Sequence, residues 1–238
     1  MCGRFPYPDS EEIKRKIKKE ISEEKSANYN TTVTDAAPVV TNQQTDIVQF
    51  LRWGFDYPVM KEGKTIKKKN NDDEIAVKQF INARAEGLME TKTFKGLIKN
   101  NRCIVYSKGF YEWSVKGGDG KQPFLFQVKD SDFTVFAGLW QNRRLLNKNR
   151  NEDCFVIVTI EPNELVGAFH DRMPVILDQQ DQELWLSNDL SDAELLSILK
   201  PYPSEKMHCF PVSKAVNSTR NQSASFLVPF EDKQQRLF

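Results

Sequence analysis

The sequence predicts a single α+β domain over residues 1–238, built on antiparallel strands curled into a barrel-like sheet with flanking helices. Three observations carry that expectation. Closely spaced apolar and aromatic runs fill the middle of the chain: Cys103–Tyr106, Phe110–Val115, Phe124–Lys129, Phe133–Leu139 and Cys154–Ile160. Turn signals, Gly117-Gly118-Asp119-Gly120 and Asp130-Ser131, stand between neighbours, as hairpins require. Segments with helical spacing lie on both sides of these runs, and neither a repeat nor a linker divides the chain.

Taken in order, residues 9–25 read as a helix. Asp9 and Glu12 have capping-box spacing, and Ile13, Ile17 and Ile21 recur every fourth residue. Tyr29-Asn30 and the Thr-rich stretch after it lead to Ala37-Pro38-Val39-Val40, an extended, loop-like connection. Asp46–Gly54 reads as a strand that a glycine ends. Residues 58–74, with Pro58, Gly63 and the Lys67-Lys68-Lys69 triplet, form a surface loop whose lysines are best explained by solvation. A helix over Thr91–Lys99 turns Phe94, Leu97 and Ile98 inward, and Asn142–Asp153 is a charged loop. Helices at Gln179–Leu186 and Asp192–Leu199 and a last strand at Met207–Val212 complete the domain.

Composition excludes several functional classes. At 238 residues and 39% hydrophobic the chain buries a real core, and its 28% charged residues cancel to a net +1. No global field therefore attracts nucleic acid, and an anionic partner must meet a local patch. Cysteines at 2, 103, 154 and 209 lack CxxC spacing, and with only two histidines neither a metal site nor a disulfide framework is expected. No apolar run reaches the roughly 18 residues of a membrane span, and no signal peptide opens the chain. A cytoplasmic, reducing setting follows, and it suits a free thiol.

The chemistry concentrates at Met1-Cys2-Gly3-Arg4-Phe5. Removing Met1 would leave a 1,2-aminothiol on Cys2, whose amine titrates near about 7.7–8.0 and whose thiol near about 8.5. Such a pair either attacks an acyl carbon or condenses with an aldehyde, the imine closing to a thiazolidine. Alternatively Cys2 is an incidental buried residue. In Gly109-Phe110-Tyr111-Glu112-Trp113, side chains alternate so that Phe110 and Glu112 share one face and Tyr111 and Trp113 the other. Glu112 is then either solvated or set in a pocket that raises its pKa toward acid–base use. His170 opens His170-Asp171-Arg172-Met173-Pro174, a salt-bridged loop or a proton-transfer group, whereas His208, among Met207, Cys209 and Phe210, reads as packed core. Arg4, Asn82 and Arg84 stand beside otherwise apolar or helix-forming positions; singly each reads equally as a surface residue, whereas gathered with Cys2 they would make an anion and carbonyl pocket.

The order Met-Cys-Gly-Arg-Phe, Ile81-Asn82-Ala83-Arg84-Ala85-Glu86, Gly109-Phe110-Tyr111-Glu112-Trp113, Ala137-Gly138-Leu139-Trp140, His170-Asp171-Arg172-Met173-Pro174 resembles the SOS response-associated peptidase family. Lys121-Gln122-Pro123 and Val212–Asn217 extend the resemblance from Cys2 to about Asn217. It implies a curled, barrel-like domain and a protein that cross-links to abasic sites in single-stranded DNA, a monomer without cofactor or membrane partner. Self-processing peptidase and lyase activities are further options that it carries. Cys2 would be the nucleophile, Glu112 and His170 the acid and base, and Asn82 the orienting group. Arg4, Arg84, Trp113 and Trp53 would hold the DNA strand. The chain departs from the family pattern at Thr31-Thr32-Val33, where Ala-Pro is usual. It departs again at Phe55-Asp56-Tyr57-Pro58, where a second, DNA-facing Trp is usual. Two other classes stay open: an N-terminal-cysteine amidohydrolase acting by acyl transfer, whose usual His-Arg-Gly segment is missing here, and a non-catalytic single-stranded DNA binder.

Overall fold

The computed structural model describes residues 2–230 apart from 62–63, 66, 69–70, 115–121, 146–147 and 149. Five strands close into a ring, in the order Gln44–Trp53, Ala36–Thr41, Arg102–Ser107, Thr134–Leu145 and Arg150–Ile160. Neighbours in that order run antiparallel. The seam between the last strand and the first is parallel, with Cys154 opposite Arg52 and Phe155 opposite Trp53. Closure removes the exposed sheet edges that an open barrel would leave. Phe110–Ser114, Gln122–Val128 and Met207–Pro211 form a second, three-stranded antiparallel sheet.

Large aromatics fill the main core. Trp53 meets Phe5 edge-on at 4.9 Å and stacks on Phe155 at 6.4 Å, while Phe5 meets Phe136 edge-on at 5.8 Å. A smaller cluster of Tyr111, Leu125, Val212, Val216 and Phe226 lies on the other face of the second sheet, with Trp113 against it. The expected alternation therefore holds: Phe110 belongs to the main core, Tyr111 and Trp113 to the smaller one.

Helices cover the flanks as the apolar spacing requires. Lys92–Asn100 buries Phe94, Leu97 and Ile98, and Gln179–Leu186 and Asp192–Ile198 bury Trp185, Leu195 and Ile198. The guanidinium of Arg102, 1% exposed, donates to the carbonyls of Ile98, Lys99, Trp185 and Ser187. It thus satisfies the C-terminal carbonyls of two helices that share no cap residue.

Several expectations need correcting. The first helix spans only Ser10–Ile17. Asp9 caps it as foreseen, accepting from the Glu12 N–H at 2.8 Å, but Lys18 turns left-handed (φ 56°) and Glu20–Ile21 becomes a strand beside Ile47 and Val48. Ile21 thus reaches the core from a strand, not from a fourth helical turn. Ala36–Thr41 is a strand rather than a loop, because both its neighbours in the ring offer it backbone partners. Residues 142–145 and 150–153 are paired strand ends rather than a loop, Asn142 opposite Asp153 and Leu145 opposite Arg150. The 58–74 segment contains short strand pairs, Met60 with Thr65 and Asn71 with Lys68. The Gly117–Gly120 turn, Lys121 and Lys69 lie outside the described residues.

Gly109 sets the start of the strand that carries Glu112. Its φ is +126°, and a Cβ there would stand 2.3 Å from the backbone oxygen of Phe126. Gly109→Ala is expected to cost about 2–4 kcal/mol, from the disfavoured φ and the clash together. Urea unfolding of the two proteins measures the difference.

Candidate active site

The chain's first residues are threaded through the fold. Phe5 and Tyr7 pair with Thr31 and Asn28, Tyr111 N–H donates to the Arg4 carbonyl at 3.0 Å, and Lys108 N–H donates to the Pro6 carbonyl at 2.8 Å. Cys2 is fully buried. Its carbonyl accepts from Asn82 Nδ2 at 3.0 Å. Asn82 opens a short strand, Asn82–Arg84, that runs parallel to Arg150–Ile160 with Asn82 opposite Ile157. The other amide atom, Asn82 Oδ1, is buried and meets no donor among the described residues.

Glu112, 4% exposed, lies on the Phe110 face of its strand. Burial pushes its carboxyl up to about 7, and the negative charge of Asp171 adds to the rise. Cys2 is near enough to feel Glu112 as well. Burial first, then Glu112, holds the thiol far above its ordinary range, so it stays protonated at neutral pH. Cys2, Asn82 and Glu112 therefore form one cluster, and the loop that carries Asp171 borders it.

His170 lies on that loop. Two groups approach its Nδ1: the Arg172 backbone N–H at 3.0 Å and Asp171 Oδ1 at 2.7 Å. The first needs a bare nitrogen and the second a protonated one. Burial lowers the pKa of His170, and the Asp171 side chain is 82% exposed and screened by solvent, so the neutral ring with Nδ1 as acceptor prevails. The ring proton then sits on Nε2. Arg172 pairs with Glu86 through both its Nη atoms, at 2.6 and 2.9 Å, rather than with Asp171.

The residues expected to hold a nucleic-acid strand divide. Arg84 is exposed beside Asn82. Trp113 is half-buried, donates to Asn217 Oδ1 at 2.6 Å and carries the Arg4 guanidinium over its ring at 5.7 Å. Arg4 itself makes three hydrogen bonds within the chain, to Asn30 Oδ1, the Val216 carbonyl and the Asn217 carbonyl. Its first task is to hold the 216–217 segment, which reading the residues singly did not reveal. Trp53 departs from expectation altogether. It has no exposed surface, its Nε1 donates to the Ile81 carbonyl at 2.9 Å, and its faces are covered by core aromatics, so no base can stack on it. His208 is not core either: it is half-buried and stacks on Phe210 at 5.8 Å.

Among the described residues no three His, Cys, Asp or Glu side chains gather as a metal-holding group, and no helix is long and apolar enough to cross a membrane.

Residues 1–219 match the sequence model of the family described as SOS response associated peptidase. The abasic site processing protein YoqW of Bacillus subtilis (strain 168) is 33% identical over 233 residues, which are 95% of this chain and 99% of that relative. The abasic site processing protein HMCES of Gallus gallus is 30% identical over 241 residues, covering 86% of this chain and 66% of that longer relative. A solved structure of a protein from Bacteroides thetaiotaomicron superposes with a TM-score of 0.75 at 24% identity, over 95% of this chain and 100% of that one. At that identity the likeness speaks for the fold.

The Glu112 environment has a consequence for stability. A carboxyl near 4.5 when unfolded and near 7 when folded stabilises the fold fully below the first value. That contribution is lost as pH rises through the second. The loss amounts to roughly 3 kcal/mol between about pH 4.5 and 8. Glu112→Gln cannot ionise, so its stability relative to the parent should rise over that window. Chemical unfolding at about pH 5 and about pH 8 checks the sign, and parallel curves would place Glu112 in contact with water.

Proposed function

This chain belongs to the SOS response associated peptidase family, and we propose that it processes abasic sites in DNA by becoming covalently joined to the lesion in a single strand through the amine and thiol of Cys2. The observation that supports this most directly is the cluster itself: an amide holding the Cys2 carbonyl and a carboxyl poised near 7 beside the thiol. The names of the relatives point to the same lesion.

The protonation states favour an order of events. A thiol held protonated by burial is a poor first nucleophile, which disfavours direct acyl transfer. Once Met1 is removed, the Cys2 amine is the group able to attack. An abasic deoxyribose, mostly a closed hemiacetal, opens to its aldehyde by moving a proton, for which a neutral His170 is suited. The amine adds to the aldehyde carbon. Glu112 in its acid form gives a proton to the departing oxygen, water leaves, and the imine forms. The S–H then adds across the C=N bond, sulfur to carbon and hydrogen to nitrogen, closing a thiazolidine. Tethering on the same residue makes that closure fast relative to any external thiol. Consuming the imine also removes the acidity that would expel the neighbouring phosphate and break the strand. Asn82 Oδ1, buried and without a donor among the described residues, would accept from the freed amine and keep its lone pair directed at the aldehyde. Arg84 and the exposed part of Trp113 serve the strand, the latter by stacking where a base is missing.

Intact mass tests this. The purified protein should be lighter by one methionine, and mixing it with a single-stranded oligonucleotide carrying one abasic site should yield a heat-stable adduct that has lost water. Cys2→Ser should retain at most an imine that needs borohydride to survive. Glu112→Gln should slow adduct formation by about 10²–10⁴-fold, and the parent's inflection near pH 7 should vanish from its rate profile. An active protein that keeps Met1 would sink the scheme, because an acylated amine forms no imine.

A further inference from the structure

Beside Asn82 lies a groove of about 630 Å³ whose walls include Lys78, Phe80, Ile81, Arg84 and Phe94. It adjoins the candidate site, since Asn82 itself lines it. Phe80 is 38% exposed, one of few large hydrophobic side chains so placed among the described residues. Its exposure follows from the local strand. Val77–Phe80 pairs antiparallel with Phe55–Pro58, and alternation puts Lys78 and Phe80 on the open face while Gln79 turns in toward Asp56. Tyr57 braces the Phe80 ring edge-on at 4.8 Å, and Arg143 in turn lies over Tyr57 at 4.3 Å with a 3.0 Å hydrogen bond to its hydroxyl. Lys78 Nζ lies over the Phe80 ring at 5.4 Å, so Phe80 is a braced platform whose face a base would have to share with, or take from, that ammonium.

We propose that this groove receives the nucleobase next to the lesion, stacked on Phe80. The inference rests on the abasic-site reading above and gives that site a neighbouring subsite. The occupant follows from chemistry on both scales. A base has two apolar faces and needs a flat aromatic partner, and the phosphates on either side need cations. Lys78 and Arg84 supply the cations at the rim, whereas Arg172, also at the groove, is already neutralised by Glu86. Phe80 ends one short strand, and Asn82 and Arg84 stand two residues apart on the next, with Ile81 between the two strands. Stacking platform, lesion-facing amide and cation thereby border the same groove. Base-on-aromatic stacking is tolerant of sequence, so the subsite would favour a normal neighbour without choosing among bases.

The test uses the full chain and two abasic oligonucleotides, one with 2-aminopurine on the 5′ side of the lesion and one with it on the 3′ side. Stacking on Phe80 should change the probe's fluorescence in one of the two, and Phe80→Ala should abolish that change while Phe80→Tyr keeps it. Phe80→Ala should also raise the DNA concentration for half-maximal adduct formation by on the order of ten-fold or more. A thermal melt confirms that the variant folds. If Phe80→Ala keeps the parental fluorescence change and concentration dependence, the stacking subsite is wrong and the abasic-site reading stands. If the parent forms no adduct with either oligonucleotide, the abasic-site reading fails instead. A Phe80→Ala protein that loses self-association but not DNA affinity would make the groove an interface between copies of the chain, and would overturn the proposal.

Discussion

One strand, Arg150–Ile160, brings Asn82 and the His170 loop to the candidate site. Along one edge it is bonded to Thr134–Leu145 as far as Ile157, and beyond that to Met173–Pro174, which anchors the loop carrying His170. Along the other edge it takes Gln44–Trp53 at Cys154 and Phe155, then Asn82–Arg84 from Ile157 to Thr159. Each partner begins where the previous one leaves. Backbone bonds from Gly54 to Phe155 and from Ile157 to Ile81 mark the hand-over. Because side chains alternate across a strand, a slip of one residue in the short Asn82–Arg84 pairing would turn Asn82 and Arg84 away together. Asn82 and the His170 loop, distant in sequence, are thus fixed by the same few ladder bonds.

The site is built against stability. Burying Glu112 raises its pKa, and the energy so stored is recovered only when the carboxyl holds a proton. The same burial keeps Cys2 as a thiol. A surface carboxyl and a surface cysteine would be easier on the fold. They would also change the balance at neutral pH, giving a carboxylate unable to donate and a thiol whose thiolate fraction is open to any oxidant or electrophile. In the proposed chemistry the protein needs a proton donor first and a sulfur nucleophile second. One apolar enclosure supplies both conditions.

Much of this was legible in the sequence where a local signal decided the outcome. Period-two alternation put Glu112 on the same face as Phe110, though not whether that face met solvent or core, and Asp9 with Glu12 located the first helix start. The failures have a common physical origin. Ala36–Thr41 carries no strong strand signal of its own and becomes a strand because the ring needs a member between Gln44–Trp53 and Arg102–Ser107. Ile21 keeps the helical spacing of Ile13 and Ile17, yet strand pairing with Val48 outweighs one more turn of a highly charged helix. Arg4 shows the same limit: its partners lie more than two hundred residues away, at Val216 and Asn217. Trp53 is the sharpest case. A tryptophan beside a glycine looks the same whether it faces DNA or core, and only closure of the ring decides it.

Trp53 also shows why burial does not remove a residue from the site. The segment bearing Cys2 is tied down, as the role proposed for that residue requires. Phe5 supplies the tie, sealed between Trp53 and Phe136 three residues after Cys2. The indole that holds Phe5 also donates to the Ile81 carbonyl, one residue before Asn82. A single rigid ring therefore supports the segment bearing Cys2 and the segment bearing Asn82, from opposite sides of the 3.0 Å bond that joins them. On this account Trp53 acts through geometry: it holds the amide and the carbonyl in register, and a tryptophan turned outward to meet DNA would leave both unsupported.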